Sequence, residues 1–405
     1  MNLSRSTYDI NTEKLSLFMW MVLAALMAFT SLSTDIYLPA MPEMHDELQG
    51  NIELTITGFL IGFSIGQIFW GPVSDKYGRR LPMALGLALF VVGSVGCALS
   101  FSIGEIILWR VIQALGACVG PMLSRAMIRD MFGQTKAAEM LSSLMIIMAM
   151  APIIGPLLGG QIIRLSTWHS IFWMLSAVGT LMLISVIWLP ETLPQKERQQ
   201  NSIGTAFGTY IRLLKNRKYM MYTLCVTFYY MAVYAFIAGS PAVYIKYFGI
   251  QPQAYGWLFG LNMIGVVVMS FANRKLVRTF KINTLLKVAT AVSMMAGIAL
   301  ICTYLLGIEN IYGIIIPVFF IFSMNGIIAA CTTAAALEDV PEIAGAASAL
   351  LGALQYGSGI VTTVLLAWIS DPTPKTMCWI LAIFTTIAAL IMWLPMHKKK
   401  ASNSI

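Results

Sequence analysis

Twelve apolar runs, each of 19 residues or more, recur from one end of the chain to the other, and charged or turn-rich breaks close each one. They are Leu15–Ala40, Ile52–Gly71, Leu81–Ser100, Gly104–Ile128, Ala137–Ile163 and Trp168–Pro190, then Tyr219–Ile245, Ala254–Ala272, Thr284–Leu306, Ile311–Ala336, Ile343–Ile369 and Lys375–Pro395. A hydrocarbon core of about 30 Å takes about 20 helical residues, so every run is long enough to span it. Strands of a membrane barrel would be ~10 residues long and would alternate in polarity, which these do not. Only 11% of the residues are charged, against roughly 25% in soluble domains, and the mean hydropathy is +0.77. That composition excludes a disordered chain, a collagen or a secreted disulfide scaffold. What remains between the runs is too short for a sizeable soluble domain. The fold class read from these runs is an all-α membrane protein of 12 transmembrane helices.

Lysine and arginine orient the runs. Of 26, Arg5 and Lys14 lie in the first tail, and Lys76, Arg79 and Arg80 between spans two and three. Arg125, Arg129 and Lys136 flank spans four and five. Six more occupy the central stretch, five lie between spans eight and nine, and Lys398, Lys399 and Lys400 end the chain. All these fall on one side; Arg164, Lys246 and Lys375 fall on the other, and Arg110 lies inside a span. The positive-inside rule therefore predicts both termini in the cytoplasm. The formal charge of +8 is explained by topology and contact with anionic lipid, so no nucleic-acid partner is expected. Met1–Lys14 is polar and the first apolar run is too long for a signal-peptide core, so no cleaved leader is expected.

The longest hydrophilic connection before the tail, 191–218, falls between spans six and seven. It divides the chain into a tail (1–14), a six-span bundle (15–190), a cytoplasmic loop (191–218), a second six-span bundle (219–395) and a final tail (396–405). Two bundles about a midplane site is a common transporter plan. The six cysteines, Cys97, Cys118, Cys225, Cys302, Cys331 and Cys378, sit in or beside apolar runs without CxxC or Cys/His clusters, so no metal or disulfide is expected.

Few polar residues enter the spans. Asp35, in TSLSTDIYLPAMP, is the one acid placed well inside a span, about 8 Å from its outer end at 1.5 Å per residue. Arg110, in span four, lies about 9 Å deep by the same measure. Charges at such depth tend to face a bundle interior or a wet cavity, although a long arginine can also snorkel outward. Asp35 and Arg110 read as a proton-coupling pair, with a structural ion pair as the alternative. The tight turn GPVSDKYGRR after span two places Asp75 among Lys76, Arg79 and Arg80, with Gly71 and Gly78 shaping the backbone. Span five contains GPLLGG, in which Gly155, Pro156, Gly159 and Gly160 permit close helix approach and a kink.

GPVSDKYGRR resembles the signature loop of the major facilitator superfamily, G-x-L-x-D-[RK]-x-G-R-[RK], with Val73 in place of leucine. The resemblance implies that Asp75 latches the two halves on the cytoplasmic side in the outward-open state, near the start of span eleven. Arg110 and Gln113 match the family's span-four pattern, with Leu108 displaced by one and Ala114 in place of the glycine. GPLLGG resembles the antiporter motif, with Ala151 where a further glycine is usual. Together with STDIYLPAMP, WHSIFW, PETLP and AGSPAVYI, these strings resemble the twelve-span drug:proton antiporters of the bicyclomycin and chloramphenicol resistance (Bcr/CflA) type.

The resemblance implies the major facilitator fold, in which spans one, four, seven and ten line a central cavity. Candidate substrate-binding residues are then Thr34, Asp35, Tyr37, Arg110, Gln113, Tyr230, Tyr234, Ser240 and Asn325, with Gln355 and Tyr356 from span eleven. Methionine and aromatic walls suit varied lipophilic ligands. No GxxxxGK[ST] loop is present, so no nucleotide or other cofactor is expected and the proton gradient should drive transport. A proton crossing 100 mV releases about 2.3 kcal/mol, enough for a roughly fiftyfold gradient. The expected function is exchange of an inbound proton for an outbound drug or amphipathic molecule across the bacterial inner membrane, with no enzymatic activity. The expected partners are small-molecule substrates, protons and membrane lipids, and the expected state is monomeric. The alternatives are an exporter of a nucleoside, sugar or amino-acid derivative, and a proton-coupled uptake symporter. Arg125 has no place in the family pattern.

Overall fold

A computed structural model describes residues 17–132, 134–198, 203–306, 310–338, 340, 343–369 and 373–393. The two expected tails, with Arg5, Lys14 and Lys398 to Lys400, and part of the central loop lie outside these residues. Among the described residues every regular element is helical. The first span comprises α1 (Leu17–Asp35), a 3-10 turn at Leu38–Ala40 and α2 (Met41–Leu48). Next come α3 (Leu54–Tyr77) and α4 (Arg80–Ala98), then α5 (Ile103–Ala117) and α6 (Val119–Met131), which together make span four. α7 (Gln134–Leu165) and α8 (His169–Ser185) complete the first six, and α9 (Ile203–Leu214) lies in the central stretch. α10 (Arg217–Pro241) runs into a π-helical turn over Ala242–Tyr247. α11 (Pro252–Thr279), α12 (Ile282–Leu305), α13 (Tyr312–Ser323) with α14 (Asn325–Glu338), α15 (Ala344–Ile369) and α16 (Lys375–Trp393) follow. Twelve stretches are long and apolar enough to cross a membrane. Below, the end of the bundle carrying Arg79 and Arg80 is the basic end, and the opposite one the far end.

Prolines set the breaks inside spans. Proline has no N–H to give the carbonyl four residues back. Pro39 therefore cannot pay α1 the bond due to the Asp35 carbonyl, and α1 ends at Asp35. Pro121 stands in the same relation to Ala117, where α5 ends, and sits in the first turn of α6, where its missing donor costs nothing. Side chains on the outside are those a lipid solvent tolerates. Trp173, Trp257 and Trp368 are exposed near the far end and Trp188 and Trp393 near the basic end, the two levels of an aromatic belt.

Small residues bring the helices together. Gly116 of α5 rests against the Gly86 carbonyl and the Phe90 backbone of α4. Two seams join the first six spans to the last six. Along α3 and α15, Asn51 donates to the Ala367 carbonyl (3.1 Å) and Thr57 bonds Thr363 (2.6 Å). Further down that seam Gly359, Gly357 and Gly352 take up Leu60, Ser64 and Gln67. Between α7 and α11, Gly160 faces the Pro252 carbonyl, Gly256 faces Leu157 and Gly260 faces Ile153, all in the far half of both helices. The far end also carries the Lys246–Asp46 ion pair (2.7 Å), which joins the π-helical turn to α2. These contacts close the far end.

A methyl group on Gly116 would collide with backbone rather than with a side chain that could turn away. Gly116→Ala should destabilise the protein by about 1–3 kcal/mol, as overpacking does. Thermal unfolding in detergent measures it, and an unchanged melting temperature would contradict the α4–α5 contact.

Candidate functional site

Asp35 is the last residue of α1 and is buried. α7 comes down on it through the glycines of GPLLGG: a Cβ on Gly155 would lie 3.4 Å from the Asp35 Cβ. At Gly159 a side chain would strike the Ile36 carbonyl itself. Gly160, on the next face of α7, meets α11 instead. One glycine-rich turn thus ties the broken end of α1 to the seam between the halves. Asp35 is also within electrostatic reach of Tyr234, Tyr255 and Tyr356, all from the second half. Thr34 beside it is half-buried and donates to the carbonyls of Thr30 and Ser31 (3.0 Å each).

Arg110 does not pair with Asp35: it is felt by the carboxylate, yet the two are farther apart than the 4.0 Å of an ion pair. It is completely buried inside the first half. One guanidinium nitrogen donates to the Ser33 carbonyl (3.2 Å) and to Gln113 Oε1 (2.7 Å), and Gln113 Nε2 donates to Ser94 (2.8 Å). The cation is caged by the rings of Tyr37 (4.3 Å), Phe59 (4.5 Å) and Phe172 (5.8 Å). A desolvated cation–π contact is worth about 2 kcal/mol, so the cage replaces part of the missing counter-charge. Nε and Nη2 have no hydrogen-bond partner among the described residues. Tyr37 is likewise fully buried, bonded to Thr55 (3.0 Å), so the structure places Tyr37, Arg110 and Gln113 within the first bundle and not on a cavity wall.

From the second half, Tyr230, Asn325, Gln355 and Tyr356 come together half-buried, the Tyr230 hydroxyl facing Asn325 and Gln355. Tyr356 crosses to Phe63 of α3, with ring centroids 4.5 Å apart. Tyr234 is buried against Gly359. Ser240 is buried too, bonded to the Tyr255 hydroxyl (2.8 Å), which keeps both out of open space.

At the basic end the signature loop folds around Arg79. Its guanidinium contacts Asp75, donates to Ser74 (2.9 Å) and donates to Asp130 at the end of α6 (2.8 Å). Burial works against that charge, but the hydrogen bonds Arg79 donates to Asp130 and Asp75, with their negative charges, outweigh it and hold Arg79 above its ordinary value. The Arg79 and Arg80 backbone N–H groups both donate to Glu191 (2.8 and 3.2 Å), and Thr192 donates to Asp130 (3.2 Å). Gly78 has φ +94°, open to glycine, and a Cβ there would strike the Glu191 carboxylate. Gly71 has nothing within 4 Å of a would-be Cβ, so packing does not require it. Asp75 is turned toward Arg79 and lies beside Tyr210 of α9, whose phenol burial and this carboxylate both push up.

The profile of the Major Facilitator Superfamily matches residues 23–363. The chain belongs to that superfamily. A similar protein, the uncharacterized MFS-type transporter YdgK of Bacillus subtilis, is 34% identical over 97% of this chain and 99% of its own. The bicyclomycin resistance protein homolog of Haemophilus influenzae is 27% identical over 94% and 96%. In fold, the crystal structure of the D-xylose-proton symporter is similar at TM-score 0.73 with 16% identity, covering 93% of this chain and 97% of that one. The chain is therefore a multi-pass membrane transporter, not an enzyme.

Within this superfamily member, several strings that carried the resemblance have physical work. PETLP supplies Glu191 and Thr192 to the Arg79 knot, and WHSIFW supplies Trp168, whose indole donates to Glu47 (2.7 Å), and Phe172 of the Arg110 cage. Sequence reasoning missed Asp130, Glu191, Phe59, Phe172 and Tyr255. The two acids carried a signal: each ends a span on the side where the basic loop lies. The rings carried none, since an aromatic in an apolar run is ordinary core. Because Arg79 serves separate partners with a planar fork, Arg79→Lys should keep the charge yet lose most transport, while substrate binding is retained. Transport and melting temperature equal to the wild type would show that the knot is dispensable.

Proposed function

We propose that the protein exports drugs or other amphipathic small molecules across the bacterial inner membrane in exchange for protons, by alternating access. The observation that carries this reading is the position of Asp35: a buried acid at the broken end of α1, under the antiporter-motif glycines of α7 and facing the tyrosines of the second half. Loss or gain of its proton changes the charge at the point where the two halves meet, so protonation and rocking are linked there. The bicyclomycin resistance homolog among its relatives supports efflux as the direction.

In this reading the basic end faces the cytoplasm, with both termini, and the cavity between the halves opens to that side before substrate binds. Substrate entering the cavity favours release of the Asp35 proton; Arg110 stabilises the resulting carboxylate from behind its ring cage. Outward opening lets substrate leave and Asp35 take up a new proton, and Asp75 exchanges Arg79 for the start of α15 to hold that state. Gly155, Pro156, Gly159 and Gly160 keep α1 and α7 moving together. The unit is the monomer, and the proton gradient replaces any cofactor.

Asp35→Asn tests it. The carboxamide keeps the shape and removes the exchangeable proton. In proteoliposomes, pH-gradient-driven substrate transport should fall at least tenfold, whereas substrate exchange at equal pH on both sides should persist. Undiminished gradient-driven transport by the variant would overturn the proton-carrier role, and uptake along with the inward proton in wild type would make the protein a symporter.

A further inference from the structure

Arg125 belongs to none of the arrangements above. It lies six residues before the end of α6, about 9 Å from the basic end of span four. Its neighbours Ser124 and Ala126 are buried, as is most of α6, yet Arg125 itself is exposed. An exposed arginine in a membrane helix faces either lipid or an internal space. Electrostatic reach decides: Arg125 is felt by Tyr356 of α15, in the other half of the molecule, and Tyr356 is itself stacked against Phe63 of α3 on the inner seam. Arg125 thus faces the space between the halves, in the basic half of span four.

No carboxylate among the described residues comes within ion-pair distance of Arg125. After Tyr356 the group it feels is Arg129, one turn further along, a second cation. Its Nε donates to the Pro121 carbonyl (2.9 Å), which anchors the stem and leaves the two terminal nitrogens of the fork without a hydrogen-bond partner among the described residues, able to receive an oxyanion. The same region holds other unspent polar atoms. Asn325 Oδ1 and Ser64 Oγ are buried without a partner among the described residues, and Ser64 lies at Gly357, next to Tyr356. Tyr356 is within electrostatic reach of both Arg125 and Asp35. This region therefore brings together a guanidinium without a carboxylate partner among the described residues, aromatic surface and unsatisfied polar atoms, all within reach of Tyr356.

We propose that Arg125 is a substrate-binding residue and that the preferred substrates are amphipathic oxyanions, with a carboxylate or like group on the Arg125 fork and an apolar body along Tyr356 and Phe63. A cation on a cavity wall with no internal partner is costly in a membrane protein, and a bound anion removes the cost. This deepens the transport reading and rests on it for the direction of movement alone, because the binding preference exists without a gradient.

The test measures equilibrium binding to the purified full-length protein in detergent, with two probes of equal body and different charge, 1-naphthylacetate and 1-naphthylacetamide. Wild type should bind the acetate at least tenfold more tightly than the amide. Arg125→Gln should bring the two within about twofold of each other by weakening the acetate alone, and Arg125→Lys should keep part of the preference, since charge remains without the planar fork. Asp35→Asn should keep the full preference. Failure of wild type to bind the acetate, absence of a preference, or a tenfold preference that survives Arg125→Gln would each overturn the assignment. Melting temperatures of the variants equal to wild type establish that a lost preference is not lost fold. If Asp35→Asn fails to uncouple transport while Arg125→Gln abolishes the preference, the proton role falls and the oxyanion site stands; the opposite pair of results overturns the oxyanion site and leaves proton exchange standing.

Discussion

The Ile36 carbonyl lies so close to Gly159 that no side chain fits between them. That contact exists because α1 stops at Asp35, where Pro39 withholds the next hydrogen bond, and a carbonyl outside the helix needs close neighbours in a medium without water. α7 can approach only because its faces toward α1 carry Gly155 and Gly159, and α11 can approach the same turn only because of Gly160 and Gly256. The closure of the far end, the burial of Asp35 and the junction of the halves all descend from one chain break and one run of missing side chains. Bulk at Gly159 would drive α7 away from α1, and bulk at Gly160 would drive it away from α11.

Three arginines in or beside the membrane are each accommodated differently, and the differences separate architecture from binding. Arg79 is met by carboxylates from two helix ends, and the result is a fixed corner. Arg110 is met by three rings, a carbonyl and an amide, with two donors left over among the described residues, and is completely buried inside the first half. Among the described residues, Arg125 is met only by the backbone of its own helix. A protein that takes such care over two cations and leaves the third uncovered on an inner wall has left it for something that arrives from solution.

Hydropathy made the number and rough place of the spans legible, because in lipid a spanning segment must satisfy its own backbone and the helix is the way to do so. The ends were less legible. Apolarity stops near Gly71, but α3 continues to Tyr77 through Pro72, because the polar end of a helix is invisible to a hydropathy reading. For the same reason the first span runs on through Met41–Leu48, a stretch with three acids. The breaks at Cys118 and Met324 fall inside unbroken apolar runs; Pro121 marks the first, and no residue marks the second. In the site, Asp35 and Arg110 stood out because a charge in a span is rare. That they are not paired, and that Tyr37 and Gln113 belong to the arginine's cage and not to an open wall, depended on helix rotation, which an apolar helix with little amphipathic contrast does not display.

Arg125 shows the same limit from the other side. In sequence it looks like one more basic residue near the cytoplasmic end of a span, of the kind that sets topology. Arg129 and Lys136 satisfy that requirement without it. What distinguishes Arg125 is rotation: one step either way along α6 lies in packed protein, and this position alone among the three opens on the space between the halves. Asp35 and Arg125, one acid and one base of the first half, are both within electrostatic reach of Tyr356 in the second.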